Sequence, residues 1–139
     1  MPSLVQKRYI TLMSKMYTKN FSFEELNCKC EACISLINDQ QMSVLFMLKL
    51  QAVRDELCMP MKITSGHRCK AHNASVGGSV DSYHVSGRAA DVQSLGLTYN
   101  SDLIHIASRV GLNGVIIYKN FIHLDDRLYS DRILLRGSY

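Results

Sequence analysis

No apolar run in the chain approaches the roughly 18 residues that a membrane-spanning helix requires. The opening Met1-Pro2-Ser3-Leu4-Val5-Gln6-Lys7-Arg8 also lacks the apolar stretch of a secretory signal. The expectation is a soluble protein without a membrane span, made in the cytoplasm and not exported by that route. Internal repeats, low-complexity segments and linkers are missing too, which excludes repeat arrays. Acidic residues are missing from residues 1–20, which hold Lys7, Arg8, Lys15 and Lys19. Residues 21–139 carry 12 basic and 12 acidic side chains, so the formal charge of +4 belongs wholly to the first twenty positions. Four charges without interleaved aromatics do not make a nucleic-acid interface, and no nucleic-acid partner is expected.

What remains is 139 residues, 47% hydrophobic and 20% charged, enough for one domain with a real core. The division expected is a basic N-terminal arm or helix over residues 1–20 and a single domain over residues 21–139, acting as a monomer. Val5, Tyr9, Leu12 and Met16 recur at helical spacing in the arm. That pattern suits contact with an anionic envelope surface; the plainer reading is a solvated helix packed on the domain. Five cysteines are present, and without an export signal they are expected mostly reduced. Cys28, Cys30 and Cys33 form a C-x-C-x-x-C knot that could hold a structural zinc if Cys58 or Cys69 folded back as fourth ligand. The chain lacks the two spaced pairs of a zinc ribbon, and buried free thiols are the favoured reading.

Ser22-Phe23-Glu24-Glu25 has capping-box form and predicts a short helix. Asn38 with Gln41 three residues on reads as a second cap. Behind it Phe46, Leu50, Val53 and Leu57 make a buried helical stripe that should end before Pro60. Met61 to Thr64 reads as a strand, residues 65–88 as a long irregular loop, and Ala89 to Val92 as a strand. A loop of that length in a small domain points to function. Asn100 is expected to cap a helix through Leu103, Ile104, Ala107 and Val110 that stops at Gly111. Gly114 to Tyr118 and Phe121 to Asp125 then read as two strands joined by the turn Lys119-Asn120. The fold class is α+β, with N-terminal helices on a small, mostly antiparallel sheet.

Chemistry concentrates in the long loop and the strands beside it. His84 and Asp91 are too far apart for one helical turn but suit a loop and a strand delivering one group each. Alternation puts Phe121, His123 and Asp125 on one strand face, with Ile122 and Leu124 on the other. Two imidazoles and a carboxylate are a catalytic zinc's ligand set, although each residue alone is commonly a satisfied core or surface group.

The run Thr64-Ser65-Gly66-His67-Arg68, then Asn73, Val76-Gly77-Gly78 and Ser82-Tyr83-His84-Val85-Ser86-Gly87-Arg88-Ala89-Ala90-Asp91, resembles the signature of the zinc D-Ala-D-Ala carboxypeptidase family. That family includes phage L-alanyl-D-glutamate endopeptidases and shares its zinc fold with the hedgehog signalling domain. Phe121-Ile122-His123-Leu124-Asp125 resembles the last ligand strand of its small phage-type branch, as Phe21-Ser22 with Glu25-Leu26-Asn27-Cys28 resembles that branch's N-terminal segment.

The resemblance implies a peptidase of bacterial peptidoglycan stem peptides or cross-links, with Zn2+ held by His84, Asp91 and His123. It implies that Arg68 binds a substrate carboxylate or polarises the scissile carbonyl. Ser82 is expected to orient the loop beside substrate, and His67 and His72, next to the signature, either contact substrate or are loop residues with local bonds. Relatives place an acid three residues before the last histidine; here that position is Asn120, and Tyr118, five before, is not a carboxylate either. Asp125 is therefore the candidate for general base or for the partner that orients His123. Asn73 is expected to be structural and His105 a surface residue. The implied setting is a phage or prophage lysis endopeptidase that reaches the wall after holin-type release or from a virion. A D-Ala-D-Ala carboxypeptidase and a non-catalytic zinc domain of hedgehog type are the alternatives.

Overall fold

The computed structural model describes residues 1–13 and 15–138, and side chains throughout that range except at residues 9–13. Tyr9 and Leu12 of the N-terminal stripe lie outside the described side chains. Part of the basic segment is helical, α1 (Leu4–Met13), opened by reciprocal hydrogen bonds between Ser3 and Gln6, while Lys15 and Lys19 lie beyond the helix. Leu4 and Val5 stand in solvent. Met16 does not continue the helix. Its place is a bridge to Ser22, because Tyr17 N–H donates to Phe21 O and Phe23 N–H to Lys15 O, which folds the chain back on itself. Among the described residues no helix is long and apolar enough to cross a membrane.

Helix α2 (Phe23–Leu26) carries the expected capping box: Ser22 accepts from Glu25 N–H and Glu25 accepts from Ser22 N–H. Helix α3 (Val44–Leu57) buries Phe46, Leu50, Val53 and Leu57 as the stripe required. It starts at Ser43, not Asn38. Ser43 Oγ accepts from Phe46 N–H and Ser43 N–H donates to Gly87 O, whereas the Gln41 side chain is drawn away to accept from Cys28 N–H. It ends before Pro60, at Cys58, which takes a left-handed φ of 54°.

The sheet has five strands in the order β1-β2-β4-β3-β5: β1 (Ile63–Ser65), β2 (Ala89–Gln93), β3 (Gly114–Ile117), β4 (Phe121–Asp125) and β5 (Ile133–Arg136). All pairings are antiparallel except β3 with β5. Strand β5 was not anticipated: Ile133-Leu134-Leu135-Arg136 shows no alternation and is largely exposed. The β3–β4 turn is Lys119-Asn120, closed by Tyr118 N–H on Phe121 O. The long loop between β1 and β2 is not wholly irregular, since α4 (Lys70–Ser75) forms within it behind Cys69. Helix α5 (Leu97–Arg109) begins after Gly96, earlier than Asn100. Asn100 instead accepts from Leu95 N–H and donates to Ser94 Oγ, tying down the connection from β2.

Period-two alternation divides the sheet's faces. Ala90, Val92, Val115, Ile122 and Leu124 are buried in one core cluster with Phe46, Leu50 and Val53 of α3 and Leu103 and Ala107 of α5. Each such fully buried large side chain stabilises the fold by about 1.5–3 kcal/mol. The opposite face carries Asp91, His123 and Asp125, so burying the helices on one side determines which side chains line the other.

Candidate active site

Asp91 and His123 are direct cross-strand partners in the antiparallel β2–β4 pair, and alternation points both side chains away from the helices. His84 reaches them from the loop. Its turn is held by Ser82 Oγ accepting from His84 N–H, by Gly87 N–H on His84 O, and by Arg68 N–H on the same carbonyl. Gly87 has φ +69° and abuts Gln41 O, so a side chain there would be both strained and obstructed.

Three atoms converge. His84 Nε2 lies 3.1 Å from Asp91 Oδ1 and 3.1 Å from His123 Nδ1, and His123 Nδ1 lies 3.0 Å from Asp91 Oδ1. Each imidazole is oriented from its outer nitrogen. His84 Nδ1–H donates to Gly66 O at 2.7 Å, and His123 Nε2–H donates to Asp125 Oδ2 at 2.8 Å. Both rings thus turn a lone pair inward beside a carboxylate oxygen, a grouping of acceptors that calls for a cation. His84 and Asp91 are buried and His123 is half-buried. That set has the chemistry, the ligand count and the oriented outer nitrogens of a zinc site with a remaining open position.

Without a metal, protons take part of that role. Burial pushes the Asp91 carboxyl up, but hydrogen bonds and charge from His123 and His84 outweigh it and hold it down at about 2. Burial pushes His123 down, yet Asp125 and Asp91 raise it to about 9. Burial likewise opposes ionisation of Asp125, and Arg127 and His123 overcome it, holding its carboxyl well below the usual range.

Asp125 is fully buried, and both oxygens are engaged. Arg127 grips it as a fork, Nε on Oδ1 at 2.8 Å and a terminal nitrogen on Oδ2 at 2.6 Å, while Arg127 N–H also donates to Oδ1. A carboxylate so closed off is suited to orient His123 and not to meet a water. Arg68 sits beside Asp91: its terminal nitrogen donates to Asp91 Oδ2 at 3.2 Å and its Nε to Ser65 Oγ at 3.0 Å.

The three converging groups line a cleft of about 380 Å³, whose walls also include Arg68, Asp81, Ser82, Tyr83, Tyr118 and Arg127. Its size suits the residues flanking one bond of a ligand chain. His67 is not among the residues lining it; its ring bonds Gln41 Oε1. His72 lies on α4 near Cys28, and His105 is exposed on α5. Asn73 is buried, accepting from Arg68 and donating to Ser79 O, in the expected structural role. Asn120 is exposed at the hairpin tip.

Arg127, Tyr83 and Asp81 were not foreseen at the site. Continuing the alternation of Phe121, His123 and Asp125 by one further step reaches Arg127. The guanidinium groups of Arg127 and Arg88 each lie over the Tyr83 ring, 5.0 and 5.2 Å from its centre, a contact no sequence pattern signals.

A family model described as Peptidase M15 matches residues 19–125, a span that contains every residue of the converging set. No curated protein matches the chain.

Proposed function

The chain belongs to the peptidase M15 family, and from that membership we propose that it is a zinc-dependent peptidase cutting a peptide bond in the stem peptides or cross-links of bacterial peptidoglycan. The observation that carries the reading is the convergence of His84 Nε2, Asp91 Oδ1 and His123 Nδ1 at the cleft.

In this proposal His84, Asp91 and His123 hold the zinc, with Asp125 and Gly66 O fixing the imidazoles. Zinc, when bound, supplies a Lewis acid that polarises a carbonyl and makes water nucleophilic near neutral pH. Arg68, held by Asp91, Ser65 and Asn73, lines the cleft, where a guanidinium can fork onto a substrate carboxylate or meet the developing oxyanion. Asp81 is the other carboxylate on the cleft wall besides Asp91. It accepts the proton of the attacking water and returns it to the leaving amine nitrogen. The hydrolysis balances: one C–N bond breaks, one C–O bond forms, and water's two hydrogens end on the new amine and acid.

The resemblance of Phe121 to Asp125 to the small phage-type branch favours an endopeptidase of phage or prophage lysis. Mass spectrometry of purified peptidoglycan digested by the zinc-loaded protein, beside a His84→Ala control, tests the reading. New amino termini at D-glutamate are expected, absent from the control. Products ending in D-alanine would transfer the assignment to carboxypeptidase or cross-link cleavage, and no products from a zinc-loaded protein across several wall chemotypes would overturn the enzyme.

A further inference from the structure

Outside the lining of the cleft, four of the five cysteines meet. Cys28, Cys30 and Cys33 come from one tight turn, in which Cys33 and Ile34 N–H both donate to Cys30 O. Cys69 joins them from the start of α4, and all four sulfurs lie within 4.8 Å of one another. Cys58, the other candidate for this place, is exposed at the end of α3 with its thiol on Asp55 O.

The spacing identifies the chemistry. A disulfide would bring two sulfurs to about 2.05 Å. A zinc ion bonded to four thiolates at about 2.3 Å holds them about 3.8 Å apart at tetrahedral angles. Here Cys28 Sγ is 3.6 Å from Cys30 Sγ, and Cys30 Sγ is 3.7 Å from Cys69 Sγ. Surrounding donors suit thiolates as well: His72 N–H donates to Cys69 Sγ at 3.4 Å, and His72 Nδ1 is 3.4 Å from Cys28 Sγ.

We infer that Cys28, Cys30, Cys33 and Cys69 form a second, structural zinc site, separate from the one at His84, Asp91 and His123. Its four ligands are protein sulfurs, so it is closed to substrate. Its place gives it a purpose. Cys69 directly follows Arg68, and His67 N–H donates to Leu26 O two residues before Cys28. The ion fastens the N-terminal segment to the base of the loop that presents Arg68, Gly66 O and His84.

The test is elemental analysis of the full-length protein, purified without chelator, for zinc per chain. Two are expected in the wild type, one in His84→Ala/His123→Ala, and one in Cys30→Ser. Because Cys30→Ser can fail to fold, cobalt(II) substitution of the double histidine variant supplies a second reading, with thiolate-to-cobalt charge-transfer bands expected in the near ultraviolet. One zinc in the wild type, lost with the histidines and accompanied by no thiolate bands, would overturn the inference. So would iron in the cysteine site, or an intact mass lower by two hydrogens, which reports a disulfide. Full zinc retained by the histidine variant would instead count against the catalytic site, so failure of the two assignments is distinguishable.

Discussion

In the proposed mechanism Asp125 and Asp81 divide two tasks that a single carboxylate could have been asked to perform. Asp125 is buried beneath Arg127 and touches His123, so Asp125→Asn should act through the metal. Losing a partner of this kind typically costs about 10–100-fold in metal affinity. Zinc titration against a competing chelator is expected to show that loss, with activity recovering as zinc is raised. Asp81→Asn should leave zinc affinity alone and lower kcat by about 10²–10⁴, the usual worth of a general base. An Asp81→Asn enzyme with unchanged kcat would remove the residue from proton transfer.

The hairpin of β3 and β4 is where element geometry controls the site. Gly114 is the register partner of Asp125, and a Cβ there would run into the Asp125 carboxylate. Gly114→Ala must therefore displace either strand β3 or the Asp125–Arg127 fork. Overpacking of this kind costs about 1–3 kcal/mol. Urea denaturation should register that cost as a lower midpoint with an unchanged slope, and zinc affinity should fall with it. A midpoint equal to wild type would mean that the strands tolerate the methyl without moving.

At the scale of the whole molecule, the charge is segregated: the first twenty residues carry the entire formal excess. Residues 15–20 are not a detachable tail, however. Tyr17 packs against the core and its hydroxyl accepts from the backbone N–H of Gln41 and Met42. Charge is accordingly better tested by neutralisation than by deletion. The variant Lys7→Gln/Arg8→Gln/Lys15→Gln/Lys19→Gln should lyse cell walls more slowly than wild type at low salt. The gap should close toward 1 M salt, where the screening length is about 3 Å. Equal rates at every salt concentration would dispose of an anionic envelope contact.

The buried stripe of α3, the capping box of α2 and the two-residue β3–β4 turn were legible in the sequence because each rests on local periodicity or turn chemistry. The same alternation that buried Ile122 and Leu124 placed His123 and Asp125 together on the other face. Asn38 and Asn100 do not cap the helices that follow them, since a side chain that could cap is recruited elsewhere or displaced by a better-placed start, a choice made by packing. Strand β5 was hidden because an edge strand pairing in parallel shows no half-buried alternation. The closure of His84 onto Asp91 and His123, the fork that seals Asp125, and the choice of Cys69 over Cys58 were decided only by tertiary structure. Those contacts join residues far apart in the chain, and the order in which the sheet's strands pair, not spacing along the sequence, sets their distances.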